Sequence, residues 1–120
     1  IKKLHLPQKT IKVFSPSHSR TFCYYKDAVD IILKLAVSKK AAKKIFNVGS
    51  QKPEIRIKNL ITVIMKVLKM EKNIIFIKDK HNSPLRRCPN MKLANQIVGK
   101  LKFTKIEDGI KKTFDYYINK

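Results

Sequence analysis

Apolar residues return every three or four positions along the longer stretches of this chain, and alternate or run together in the shorter ones. Ala28, Ile31, Ile32, Leu35 and Ala36 fall at i, i+3, i+4, i+7 and i+8. That spacing predicts an amphipathic helix from Asp27 that runs out at Ser38-Lys39-Lys40 or soon after. Asp27, with Asp30 three places on, stands where a carboxylate accepts from the first backbone N–H groups of a helix, an Asp-for-Glu form of the capping box. Leu60, Ile61, Ile64, Met65 and Leu68 mark a second helix, with Met65 as core filler. Asn90 opens a third as its N-cap; it carries Met91, Ala94, Ile97 and Val98 and closes at Gly99. Thr104 and Glu107 form a capping box for the last, whose Ile106, Ile110, Phe114 and Tyr117 make one stripe. Gly109 inside that helix costs about 1 kcal/mol against alanine, so a close packing contact is expected there.

The short segments read as strands. Ile11–Phe14 alternates, Thr21–Tyr25 combines Thr, Phe, Cys and Tyr, Ile45–Val48 is a brief apolar run ended by Gly49, and Ile74–Ile77 is a continuous, buried one. Ile1–Gln8 reads as the tail of a helix or an irregular lead-in, and Gln51–Glu54 as a loop containing Pro53. Strands and helices alternate, which predicts α/β packing, or α+β for the chain in isolation. With 120 residues there is room for one small domain, spanning 1–120.

Charge widens the field before narrowing it. The chain has 28 basic and 8 acidic side chains, a net +20. That excess admits nucleic acid or an anionic membrane surface as partner. The lysines are scattered, however, and the Lys, Ile and Asn bias is what an AT-rich coding sequence produces, so no specific nucleic-acid role is expected. Cys23 and Cys88 show no C-x-x-C spacing: Cys23 reads as core filler, Cys88 as a loop residue, and nothing calls for a disulfide. His5, His18 and His81 lack metal-ligand spacing. No run is long enough to span a membrane and no signal-peptide pattern is present, so a cytoplasmic protein without membrane contact is expected. The chain starts at Ile1, in what looks like the middle of an element, which suggests a fragment of a longer protein.

Chemistry-bearing sets are few. There is no Ser-His-Asp pattern, no G-x-G-x-x-G and no P-loop. What stands out against the lysine background is arginine: Arg20 at the mouth of a strand with a helix start behind it, and Arg86-Arg87 in the polar stretch 78–89 ahead of another. Guanidinium forks grip phosphate oxygens in two-pronged fashion. Two readings stand side by side: these arginines converge on one diphosphate, or each is a solvated loop cation.

At Arg20–Asp30, RTFCYYKDAVD, the sequence resembles the R-[ST]-F-x-Y-[VI]-x-D-A segment of the NAD-dependent epimerase/dehydratase family, the extended short-chain dehydrogenases acting on nucleotide sugars. Further landmarks follow in family order: Phe46-Asn47-Val48-Gly49, SPLRRCPN at Ser83–Asn90 leading into Lys92–Ala94, and Glu107–Ile110 before an aromatic helix. The likeness runs from about Ile11 to Tyr117, and the R-R-x-P-[DN] form looks most like UDP-glucuronate decarboxylases, with 4-epimerases and 4,6-dehydratases as neighbours. The family's glycine-rich turn is here SPSHS, its Asp is Asn90, and its L-G-[WY]-x-P segment lacks the aromatic and the proline.

The resemblance implies a C-terminal nucleotide-sugar-binding part whose N-terminal Rossmann domain, with the glycine fingerprint for NAD and the Tyr-x-x-x-Lys pair, lies outside these landmarks. It implies that Arg20 and Arg87 (or Arg86) contact the diphosphate of a UDP-sugar and that Tyr24 packs near the ligand. It further implies that the complete enzyme is a homodimer that oxidises a sugar hydroxyl with NAD, while this part alone does not turn over substrate. It implies, too, that apolar faces meant for the missing domain are bare and the chain is marginally stable. The rival expectation is a small basic module binding nucleic acid without enzymatic activity.

Overall fold

The helical periodicities become helices close to where the pattern puts them, and the strands less so. A computed structural model describes residues 9–78 and 83–119. In chain order its elements are β1 Thr10–Phe14, β2 Ser19–Thr21, α1 Tyr25–Ala36, a 3-10 turn Lys39–Ala41, β3 Glu54–Arg56, α2 Ile57–Leu68, β4 Asn73–Ile77, β5 Arg86–Arg87, α3 Lys92–Val98 and α4 Ile106–Ile118. The chain is thus a mixed α/β structure. The lead-in at 1–8, which includes His5, and residues 79–82 of the polar stretch, which include His81, lie outside the described residues.

Two compact units share the chain. The first takes the described residues up to Arg20, then Ile55–Arg87 and the chain from Glu107; the second takes Thr21–Glu54 and Cys88–Ile106. In the first, β1 and β4 pair in parallel with Ile11 opposite Ile74 and Val13 opposite Phe76. The alternation expected of β1 is real: Ile11 and Val13 are buried while Thr10, Lys12 and Phe14 are exposed. The expected burial of Ile74–Ile77 does not hold, since Ile75 and Phe76 are 43% and 48% exposed. These two are consecutive and so rise from opposite faces, which means that the two-stranded sheet is open on both sides at the middle of β4, where a continuous apolar run suggests cover on both. Ile64 on α2 and Ile110 on α4 complete the buried apolar residues of this unit among those described. Gly109 is half-buried beside Ile110, and its carbonyl accepts from the Thr113 hydroxyl at 2.7 Å.

The second unit is built on α1 and α3. Ile31 and Leu35 of α1 form a cluster with Met91 and Ala94, and Phe46, Val48, Ile97, Val98, Leu101 and Phe103 pack around it. Ile45–Val48 therefore contributes to the core without being a strand: it has no sheet partner, Phe46 and Val48 turn inward, and Ile45 is 94% exposed. Asn90 stands one residue before the N-cap, which is Met91, so it is not the cap expected of it; its Oδ1 still accepts from Lys92 N–H at 3.0 Å, and Gly99, at φ 74°, ends the helix in a conformation that favours glycine.

Two expected caps are replaced by one long-range contact. α1 starts at Tyr25, so Asp27 lies in its first turn and not at its N-cap. Its carboxylate instead accepts from Thr104 N–H at 2.8 Å and from the Thr104 hydroxyl at 2.9 Å. The hydroxyl that the T-x-x-E pattern assigned to its own helix is thus donated across 77 positions of sequence. Asp27→Ala should cost about 2 kcal/mol, because it strands a half-buried N–H and removes a charge-assisted bond. Denaturant unfolding checks this: Asp27→Asn, which keeps one acceptor, should recover a good part of the loss, and equal losses in both would place the carboxylate's role elsewhere.

The apolar stripe of α1 is narrower on its buried side than expected. Ile32 and Ala36 are exposed, and Tyr25, Val29, Ile32 and Leu33 line up at i, i+4, i+7 and i+8 with exposures from 45% to 61%.

Candidate functional site

The site begins with a tight turn. Ser15-Pro16-Ser17-His18 closes with His18 N–H donating to the Ser15 carbonyl at 3.0 Å, and proline suits its second position. The turn ends two residues before Arg20, and that sets the start of the next strand. β2 spans Ser19–Thr21, so Arg20 lies inside it; the strand expected at Thr21–Tyr25 is displaced towards the N-terminus, and 22–24 is irregular. β2 is the middle strand of a three-stranded sheet ordered β3-β2-β5.

β2 and β5 run parallel, with Ser19 opposite Arg86 and Arg20 opposite Arg87. Side chains at paired positions of neighbouring strands rise from the same face of a sheet, and consecutive ones from opposite faces. The register therefore puts Arg20 and Arg87 side by side and sends Arg86 to the other face, beside Ser19. Arg86 and Arg87 are exposed and Arg20 is half-buried. Like charges at directly paired positions oppose each other, so the pair is unfavourable unless an anion or strong acceptors compensate.

Acceptors do compensate at Arg20. Its Nη1 donates to the carbonyls of Ser19 at 2.7 Å and Leu85 at 3.3 Å. Its Nη2 donates to the Pro84 carbonyl at 2.9 Å and lies 3.4 Å from Ser83 Oγ and 3.3 Å from His18 Nδ1. None of these bonds engages Nε. Ser19 N–H donating to Leu85 O at 2.8 Å adds a backbone tie, so the 83–87 segment is fastened to β2 by main chain and guanidinium together.

Of the residues singled out by sequence, Arg20 and Arg87 are brought together, Arg86 is turned to the opposite face, and Tyr24 belongs to the second unit. Tyr24 packs edge-on against Tyr25, with ring centroids 4.8 Å apart. Loss of solvent, then its hydrogen bond with Tyr25 and the nearby charges, push the Tyr24 phenol up. It stays protonated near neutral pH. Burial and the Asp27 carboxylate likewise push the Cys23 thiol up, against a smaller opposing hydrogen bond from Ser50, which suits a core residue and not a nucleophile. Cys88 is half-buried with Sγ 3.8 Å from the Gln51 carbonyl. Among the described residues, no three His, Cys, Asp or Glu side chains come together as a metal site.

The residue that sequence reasoning passed over is His18. It is 6% exposed and two positions before Arg20, on the same side of an extended segment, and that i, i+2 spacing was the available signal.

The described residues offer no cradle for a dinucleotide. Gly49, Gly99 and Gly109 are isolated from one another, and no glycine-rich loop opens any of the described helices. No helix among the described residues is long and apolar enough to cross a membrane.

The sequence matches no protein-family model, and no curated protein matches it either. Solved structures do match. UDP-glucuronic acid 4-epimerase from Bacillus cereus, in complex with UDP-glucuronic acid and NAD, superposes with a TM-score of 0.85 at 20% identity over 98% of this chain. RMD from Pseudomonas aeruginosa, in complex with NADPH, gives 0.79 at 18% identity, also over 98%. TunA, an NAD-dependent NDP-hexosamine 5,6-dehydratase of tunicamycin biosynthesis, gives 0.80 at 18% identity over 95%. The chain spans only 37–38% of the length of these proteins. What the likeness shows is the fold: these residues are folded like the C-terminal part of NAD-dependent nucleotide-sugar epimerases and dehydratases.

Proposed function

We propose that the chain is the nucleotide-sugar-binding portion of an NAD-dependent epimerase, dehydratase or decarboxylase, and that Arg20 and Arg87 hold the diphosphate of its substrate. One observation carries the reading: the register that sets these two arginines side by side on one sheet face. Two adjacent cations, one of them oriented by fixed acceptors, form a receptor for a doubly charged, multi-oxygen group. The fold supports the reading because the matched Bacillus cereus epimerase holds UDP-glucuronic acid. Arg86, on the opposite face, is not part of the grip. The chain itself positions substrate and carries no redox step, so turnover by these 120 residues alone is not expected.

Calorimetric titration with UDP tests this. Saturable one-site binding is expected, weakening only moderately between low and physiological salt, as two cationic contacts require. A basic module reading nucleic acid would instead bind a DNA or RNA oligomer and lose it steeply over the same salt range. A folded chain that binds the oligomer and ignores UDP would overturn the proposal.

A further inference from the structure

His18 holds a place that the diphosphate reading leaves unexplained. It is a buried imidazole whose backbone is fixed twice, by its N–H to Ser15 O at 3.0 Å and by its carbonyl accepting from Ile57 N–H at 2.9 Å. Its Nδ1 lies 3.3 Å from Arg20 Nη2. A guanidinium nitrogen has hydrogens to give and no lone pair to offer, so Nδ1 must be the acceptor. That fixes the tautomer: the ring hydrogen sits on Nε2. Of the groups around the Arg20 guanidinium, Ser83, Pro84 and Leu85 belong to the segment that β5 continues, whereas the Ser19 carbonyl and the His18 ring lie on the β2 side, and His18 is the most buried of them all.

From this geometry we infer that His18 is a positioning residue for anion binding: its unprotonated Nδ1 sets the plane of the Arg20 guanidinium and thereby aims the Arg20–Arg87 pair. The inference rests on the diphosphate reading for what the pair binds, but not for the contact itself. A carbonyl can accept from a range of directions, while the imidazole lone pair is aimed by a buried ring whose backbone is tied at both its N–H and its carbonyl, so His18 selects one guanidinium orientation among several. An orientation set in advance also spares the ligand the cost of ordering a long side chain on binding.

The test uses the full chain with UDP as probe and asparagine and leucine at position 18. Asparagine places an amide oxygen near the Nδ1 position; leucine fills similar space with no acceptor. His18→Leu should weaken UDP roughly tenfold, and His18→Asn should stay within about threefold of wild type. In an Arg20→Ala background, His18→Leu should add no more than about twofold, because the group it positions is gone. Equal losses in His18→Leu and His18→Asn, or an undiminished loss in the Arg20→Ala background, would overturn the inference. A long-range nitrogen–proton NMR spectrum reads the ring directly, whether or not UDP binds. An unprotonated Nδ1 with a protonated Nε2 supports the contact, and the reverse tautomer ends it. If wild type shows the Nε2–H tautomer but binds no UDP, the diphosphate reading fails while the positioning of Arg20 stands.

Discussion

Replacing Ile31 with alanine is expected to cost about 3 kcal/mol, and replacing its neighbour Ile32 next to nothing. Ile31 is 1% exposed and packs in the cluster with Leu35, Met91 and Ala94, where a truncation removes transfer energy and leaves a cavity. Met91 and Ala94 are equally buried, Ala94 inside α3 and Met91 at its N-cap, so the gap has little freedom to collapse. Ile32 is 51% exposed, on the side of α1 that carries Tyr25, Val29 and Leu33. There alanine surrenders little packing and gains a few tenths of a kcal/mol in helix propensity. Domains of this size hold roughly 5–15 kcal/mol in all, so the Ile31 variant should lose on the order of 10–20 °C in midpoint. Thermal unfolding of the two variants side by side decides the matter. Matching losses would mean that the exposed stripe is covered in solution, and matching small ones that the cluster does not hold this unit together.

That contrast shows where sequence patterns stop. Spacing at three and four residues marks a helix and the broad direction of its apolar side, but Ala28, Ile31, Ile32, Leu35 and Ala36 are equally good members of that side on paper. Only α3 lying against α1 picks out Ile31 and Leu35. Local chemistry fared best where it is complete within a few residues. Asn90 reaches Lys92 N–H, and Gly99 takes the positive φ that ends α3. It fared worst where a distant partner outbids the neighbour, as Asp27 does for the Thr104 hydroxyl. The strand beginning at Ser19 starts two residues before the run of Thr, Phe, Cys and Tyr that composition favours, because its position is set by the turn that closes at His18 and by the partner β5.

The arginines follow the same logic. Their scarcity among lysines sets them apart and the family likeness gives them a role, but neither distinguishes Arg86 from Arg87. The choice is a matter of register between strands that begin 67 positions apart, Ser19 opposite Arg86. A shift of one residue would exchange the two side chains between faces. The carbonyls of Pro84 and Leu85 that steady Arg20 carry no side-chain signature at all, so their part could be found only in three dimensions.

Register therefore yields the sharpest mutational contrast in the proposed site. Arg87→Ala is expected to weaken UDP by about 2 kcal/mol, some thirtyfold, as the loss of a charge-assisted fork to phosphate. Arg86→Ala, one residue away with the same charge, should change it no more than about threefold, because that side chain rises from the opposite face and salt screens its field at the diphosphate. Arg87→Lys should recover the charge but not the fork, and fall between. Arg20→Ala needs separate reading, since it also cuts the ties to Ser83, Pro84 and Leu85 and so loosens the strand on which Arg87 sits. Its loss should exceed that of Arg87→Ala, and the double variant should fall short of the sum of the two, because Arg87 is already misplaced once Arg20 is gone. Titrating wild type and the five variants against UDP at one salt concentration measures all of these at once. Equal effects at 86 and 87 would show that the sheet contributes nothing beyond net charge, and the diphosphate grip would have to be given up.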